Sequence, residues 1–101
     1  MRIGIEPSAP GSPDHLITDA EIRNVVGYPV LRIKIQARRD NADPTLYMGR
    51  SSDNQAHIEV AADLIDPTEA VVFHAMMLRP GLIRQLSLDL FITPEFAPQR
   101  A

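Results

Sequence analysis

The sequence predicts an α+β domain: a short N-terminal helix packed on a four-stranded antiparallel β meander, followed by a C-terminal helix or extended arm. Three observations carry this reading. A helix-capping pattern stands at Thr18 and Glu21 ahead of a one-sided apolar segment. From Leu31 onward the apolar period changes to two, the period of a strand with one buried face. Polar, Pro-containing or Asn/Asp-rich stretches at 38–44, 51–54 and 63–68 then cut the alternating sequence into four strands. The chain has 101 residues, 45% of them hydrophobic, which suits one globular domain over 1–101 and excludes both a second domain of normal size and a wholly disordered chain.

Residues 3 to 5 are a short apolar piece. Pro7, Pro10, Gly11 and Pro13 then make a breaker-rich stretch, so residues 1–14 are expected to form a loop or loose tail. Thr18 can accept from the backbone of Glu21 while the Glu21 carboxylate reaches back. Ile17 and Ile22 occupy the hydrophobic staple positions, and Asp19 and Glu21 suit the positive end of the helix dipole. Ile22, Val25 and Val26 form one apolar side and Gly27 is a natural stop, which predicts a helix over 19–26. A helix so short must pack on something to persist in water.

After Pro29, Leu31, Ile33 and Ile35 alternate with Arg32, Lys34 and Gln36. Leu46 and Met48 alternate with Thr45, Tyr47 and Gly49. Ile58, Val60 and Ala62 alternate with His57 and Glu59, and Val71, Phe73 and Ala75 with Val72, His74 and Met76. Joined by short turns, these predict a meander. The helix is expected to cover the face carrying Leu31, Ile33, Ile35, Leu46, Met48, Ile58, Val60, Val71, Phe73 and Ala75. Arg79-Pro80-Gly81 breaks the last strand. Leu82, Ile83 and Leu86 fit a short helix, and Leu88, Leu90 and Ile92 fit a strand or an extended arm.

The candidate chemistry then falls on the opposite sheet face, with Arg32, Lys34, Tyr47, His57, Glu59, Val72 and His74. Arg50 is placed at one strand end, and Arg79 and Arg84 just past the last strand. Arginines grip phosphate in a fixed fork, and a histidine near neutrality moves protons. Cleavage of RNA needs little more, because the 2′-hydroxyl is its own nucleophile. A wet sheet face also alternates charge for solvation alone, which is the plain reading of Arg32 and Lys34. His57 fits a cross-strand pair with Glu59 or Asp63 as well as it fits chemistry, and His74, between Phe73 and Ala75, fits a packed core histidine.

The sequence holds no cysteine, and His15, His57 and His74 do not form a known metal spacing, so neither a metal nor a cofactor is expected. The apolar runs are too short to span a membrane and the N-terminus lacks the apolar core of a secretion signal, which points to the cytoplasm. Net charge is -3. Residues 28–50 hold five basic and two acidic groups, whereas residues 51–75 hold five acidic and no basic ones. A uniformly basic surface for DNA is therefore absent, but a local positive cleft is compatible with the pattern.

The stretches HLITDAEI (His15 to Ile22), TLYMGR (Thr45 to Arg50), HIEV (His57 to Val60) and VVFHAMMLRP (Val71 to Pro80) resemble toxins of type II toxin–antitoxin modules, in the BrnT-like branch of the RelE-like ribonucleases. In that family a His-x-hydrophobic-Ser/Thr segment opens the first helix. A meander with arginines follows, and the last strand ends in a small-residue and arginine motif, matched here by Ala75 to Arg79 with Arg84. The resemblance covers about residues 15–87. The chain departs from it in its negative charge and in Met76, Met77, Gly81 and Leu82, where more polar or basic residues are usual. The resemblance implies an endoribonuclease inhibited by a cognate antitoxin protein. It makes Arg50, His74 and Arg79 the catalytic candidates, with Lys34, Tyr47 and Arg84 in substrate binding. An alternative is a non-catalytic interaction or homodimerisation module that uses the apolar segment Leu82 to Ile92. A small-molecule pocket lined by Tyr47 and His74 is a third reading.

Overall fold

The computed structural model describes residues 2–5, 17–35, 43–50, 55–66 and 68–99. Helix α1, Asp19–Gly27, starts at the predicted capping box. Glu21 N–H donates to Thr18 Oγ1 at 3.2 Å and Thr18 N–H donates to Glu21 Oε1 at 3.1 Å. The staple residues Ile17 and Ile22 are buried, with Val25 and Val26 beside them. The Tyr28 N–H closes the last turn on Asn24 O at 2.9 Å.

Five strands form one mixed sheet: β1 Arg2–Ile5, β2 Leu31–Lys34, β3 Pro44–Arg50, β4 His57–Asp66 and β5 Glu69–Met77, in the order β1-β5-β4-β3-β2. The strands β2 to β5 are the antiparallel meander the alternation predicts. The expectation of four strands is corrected by β1, which pairs parallel to β5 with Ile3 opposite Ala70. A strand of this kind reports itself weakly in sequence. It is four residues long, and its partner lies more than sixty residues away, so nothing local announces the pairing. Residues 6–14 of the expected tail lie outside the described residues. So do the predicted turns at 38–44 and 51–54, except for Asp43 and Pro44. The third turn is tighter than 63–68, because β4 runs on to Asp66 and β5 begins at Glu69.

The second correction concerns which residues share a face. Directly paired residues point the same way, and Tyr47 pairs with Val60 while Met48 pairs with Glu59. Tyr47, Ile58, Val60, Ala62, Val72, Ala75 and Met77 therefore pack with α1. Leu46, Met48, Ala61 and Phe73 face the other way, with Leu31 and Ile33. The predicted single apolar face is thus split between the two sides of the sheet. Strand β5 carries the reason for part of it: Ala61 pairs with His74 but Ala62 pairs with Val72, so Phe73 is an inserted residue. Such a bulge shifts the alternation by one, and here it turns Val72 to the α1 side while His74 stays on the side of Glu59.

Helix α2, Pro80–Leu86, and a 3-10 helix at Leu88–Leu90 cover that second side. Leu78, Ile83 and Leu88 are buried there, and Leu82, Leu86 and Ile92 pack against them. The turn between the two helices is made by Ser87 in the left-handed conformation (φ 54°). The segment 82–92 is therefore mostly consumed by its own sheet instead of projecting as an arm. Leu90 and Phe91 are its large apolar side chains left exposed. Over β3 to β5 the sheet sits between two apolar layers, whereas the edge strand β2 keeps the predicted wet side, with Arg32 and Lys34 exposed. Among the described residues no helix is long and apolar enough to cross a membrane.

Candidate functional site

Glu59 lies in the middle of β4 and is fully buried, with Met48 opposite it on β3 and Met76 opposite it on β5. A lone carboxylate between two thioether side chains would be untenable. The fold supplies four donors. Oε1 accepts from the Arg79 backbone N–H and from Arg79 Nε, both at 2.9 Å. Oε2 accepts from Arg79 Nη2 at 2.8 Å and from His74 Nε2 at 2.9 Å. All four lone-pair positions of the carboxylate are thereby filled. Arg79 can grip Glu59 with both backbone and side chain because it is the N-cap of α2, held extended by the Pro80 that follows. His74 is in reach because it pairs with Ala61 and lies two residues from Met76, which stands opposite Glu59.

Electrostatically, burial pushes the Glu59 carboxyl up, but hydrogen bonds from His74 and Arg79, and the Arg79 charge, outweigh it and hold the group below the usual carboxylate range. The site reaches solvent through its cations: the Arg79 side chain is half exposed and that of His74 one-fifth exposed. Since Glu59 takes the Nε2 proton of His74, a neutral imidazole carries its lone pair on Nδ1. That atom has no hydrogen-bond partner among the described residues. The geometry is that of a buried carboxylate orienting an imidazole, with a guanidinium beside it.

Two residues back along β4, on the same side, His57 stands opposite Arg50. Arg50 Nη1 donates to Gln55 O at 2.7 Å and Nη2 is paired with the Glu95 carboxylate. The Glu95 N–H donates to His57 Nδ1 at 2.9 Å, and the His57 N–H donates to Glu95 O at 2.9 Å. From the other side of the sheet, α1 fastens this strand end, with Asn24 Nδ2 donating to Arg50 O at 3.1 Å. Burial, followed by the Arg50 charge, lowers the His57 pKa from its ordinary value of 6.5. The Arg50 hydrogen bond holds the Glu95 carboxyl below its usual range.

Among the sequence candidates, the structure joins His74 and Arg79 directly through Glu59, and sets Arg50 on the same side of the sheet, one pair along. Lys34 is not part of this group. It pairs with Thr45 on the other side of the sheet and forms an exposed ion pair with Asp43 at 3.0 Å. Tyr47 is buried against the α1 side, 1% exposed, and its hydroxyl has no hydrogen-bond partner among the described residues, so it lines no open site. Arg84 is exposed on α2. Sequence reasoning placed Glu59 on the candidate face, as a partner for His57, without giving it a role in the site, and it passed over Glu95. A glutamate inside the run Ile58-Glu59-Val60-Ala61-Ala62 is a legible signal, because an acid in a strand buried on both faces requires a cation. Glu95, in a proline-flanked tail, gives no such signal.

The His57 pKa shift makes a pH prediction. A folded-state pKa below 6.5 means that the unfolded chain takes up the proton first. The contribution of His57 is therefore full above 6.5 and is lost as pH falls toward its folded value. The depressed Glu59 carboxyl adds a second loss in the same direction, beginning near its ordinary value of 4.5. Urea melts across this range should show stability falling in two stages on acidification. In His57→Asn, whose Oδ1 can still accept from Glu95, the upper stage should disappear. An unchanged slope in that variant would assign the upper stage to another group.

No protein-family model, curated protein or solved structure matches the chain.

Proposed function

We propose that this protein is a toxin-like component of a bacterial toxin–antitoxin module, acting in the cytoplasm as an endoribonuclease, with a cognate antitoxin protein as its partner. The reading is supported by one observation above the others: the buried Glu59 carboxylate that holds His74 by Nε2 and Arg79 by its fork. In this reading His74 Nδ1 takes the proton of an RNA 2′-hydroxyl. The 2′-oxygen forms a bond to the adjacent phosphorus, the bond from phosphorus to the 5′-oxygen breaks, and the leaving oxygen takes a proton from water. The products are a 2′,3′-cyclic phosphate and a 5′-hydroxyl. The remaining N–H groups of Arg79, on its solvent side, meet the phosphoryl oxygens as charge builds on them.

The test is cleavage of single-stranded RNA by the purified protein, with His74→Gln beside it and folding checked by circular dichroism. Loss of a general base is expected to slow cleavage by about 10²–10⁴-fold. Strands carrying 2′-deoxy sugars should resist. Equal cleavage by the folded His74→Gln variant, or none by the wild type, would overturn the assignment. A non-catalytic interaction module is the second reading, favoured by Leu90 and Phe91, which are 79% and 70% exposed. It predicts a chain that cuts no RNA and loses its partner on Leu90→Ser with Phe91→Ser.

A further inference from the structure

Residues 91–99 carry no regular structure, yet they are tied at several points. Ile92 packs on the α2 side of the sheet and Ala97 on the α1 side, so the segment wraps around the sheet end as a strap. The Gln99 side chain imitates a strand partner: Oε1 accepts from Met77 N–H at 3.0 Å and Nε2 donates to Met77 O at 2.7 Å. Glu95, midway, exchanges backbone and side-chain hydrogen bonds with His57 and places its carboxylate on Arg50.

The Arg50–Glu95 contact has the features of an occupied anion site. Arg50 is not adapting loosely to a surface acid. The Gln55 carbonyl holds Nη1, the Asn24 amide holds the Arg50 carbonyl, and the fork is aimed before Glu95 arrives. Glu95 itself is more than half exposed, which leaves it little burial to anchor it. Carboxylate and phosphate oxygens satisfy an arginine fork in the same way. Arg50 stands opposite His57, which lies two residues along β4 from Glu59, about 7 Å at the rise of a strand, within the span of a neighbouring nucleotide.

We infer that the Arg50 guanidinium forms a second phosphate subsite for the RNA strand, which the Glu95 carboxylate of the C-terminal strap occupies in the unliganded chain. The inference rests on the ribonuclease reading for the identity of the strand. It is tested by binding alone, so the two can fail separately. Full-length wild type, Glu95→Ala, Arg50→Ala with Glu95→Ala, and Asp89→Asn are titrated with a short uncleavable 2′-O-methyl RNA by fluorescence anisotropy. Asp89→Asn, on the exposed 3-10 helix, removes the same charge elsewhere and so measures the general electrostatic gain. Glu95→Ala should bind about tenfold tighter than wild type. The double variant should fall back to the wild-type level or below, and Asp89→Asn should gain threefold at most. Glu95→Ala binding no tighter than Asp89→Asn, or a double variant as tight as Glu95→Ala, would overturn the subsite. RNA cleavage that depends on His74 would survive either result, and a wild type that cuts nothing would leave the binding difference to be read on its own.

Discussion

Arg79→Ala is expected to lower the unfolding free energy by about 3 kcal/mol, the low end of the range for stripping one partner from a buried charge. Glu59 would keep two of its four donors, the backbone N–H of residue 79 and His74 Nε2, while lying between Met48 and Met76. The lower end applies because Arg79 is half exposed, so water screens the pair and can reach part of the gap. Set against a typical total of about 5–15 kcal/mol, such a loss is large. It should appear as a fall in melting temperature of roughly 12–24 °C for a domain of this size. The penalty should shrink as pH falls from 4.5 toward the depressed folded value of Glu59, where the carboxylate takes up its proton and ceases to favour the fold. Glu59→Met combined with Arg79→Ala should recover much of the loss, since an apolar replacement removes the stranded charge altogether. A single variant costing under about 1 kcal/mol would show instead that the pair behaves as a surface ion pair.

Ile22→Ala should cost about 3–4 kcal/mol, within the range for deleting most of a buried isoleucine. Ile22 is wholly inaccessible and shares its cluster with Val25, Val26 and Ile58. The helix that bears it has nine residues and cannot persist without its docking face. The same substitution therefore removes both packing and the reason for α1 to form, so the capping box alone should not rescue it. Leu78→Ala, on the other side of the sheet, should cost a similar amount, because Leu78 is itself fully buried in the apolar cluster under α2. Val30→Ala, at a half-exposed position, should change stability by less than about 0.5 kcal/mol. Urea denaturation with an unchanged m-value is the measurement. Equal costs at Ile22 and Val30 would contradict the packing described.

Much of the fold is readable residue by residue. The Thr18–Glu21 box and the Ile17–Ile22 staple locate α1 to within a residue, because the bonds that start a helix are made by side chains three positions away. The four meander strands are readable from alternation, since period two is a property of the extended backbone itself. The candidate site was legible only in part. His74 and Arg79 stand out as a histidine and an arginine in and after an apolar strand, and the apolar run around Glu59 marks it, but that the three meet is not readable. On alternation alone Glu59 looks like an ordinary wet-face acid, and its burial follows from α2 and the 3-10 helix folding back over it. Arg50 is visible as a strand-end arginine, whereas its partner Glu95 lies forty-five residues on, in a segment without periodicity.

By itself, then, the sequence determined the helix start, the existence of the four successive strands and their antiparallel order. These depend on contacts between near neighbours and on short polar turns. Only the tertiary structure decided which strand faces agree, that β1 joins beside β5, and that His74 rather than Phe73 opposes Ala61. The physical reason is parity. Alternation ranks residues as same-side or opposite-side within one strand, but the hydrogen-bond register between strands sets how those sides align. One inserted residue, Phe73, reverses the parity for everything before it and so moves Val72 to the α1 side, while His74, beyond it, keeps the register that sets Met76 opposite Glu59 and reaches the carboxylate.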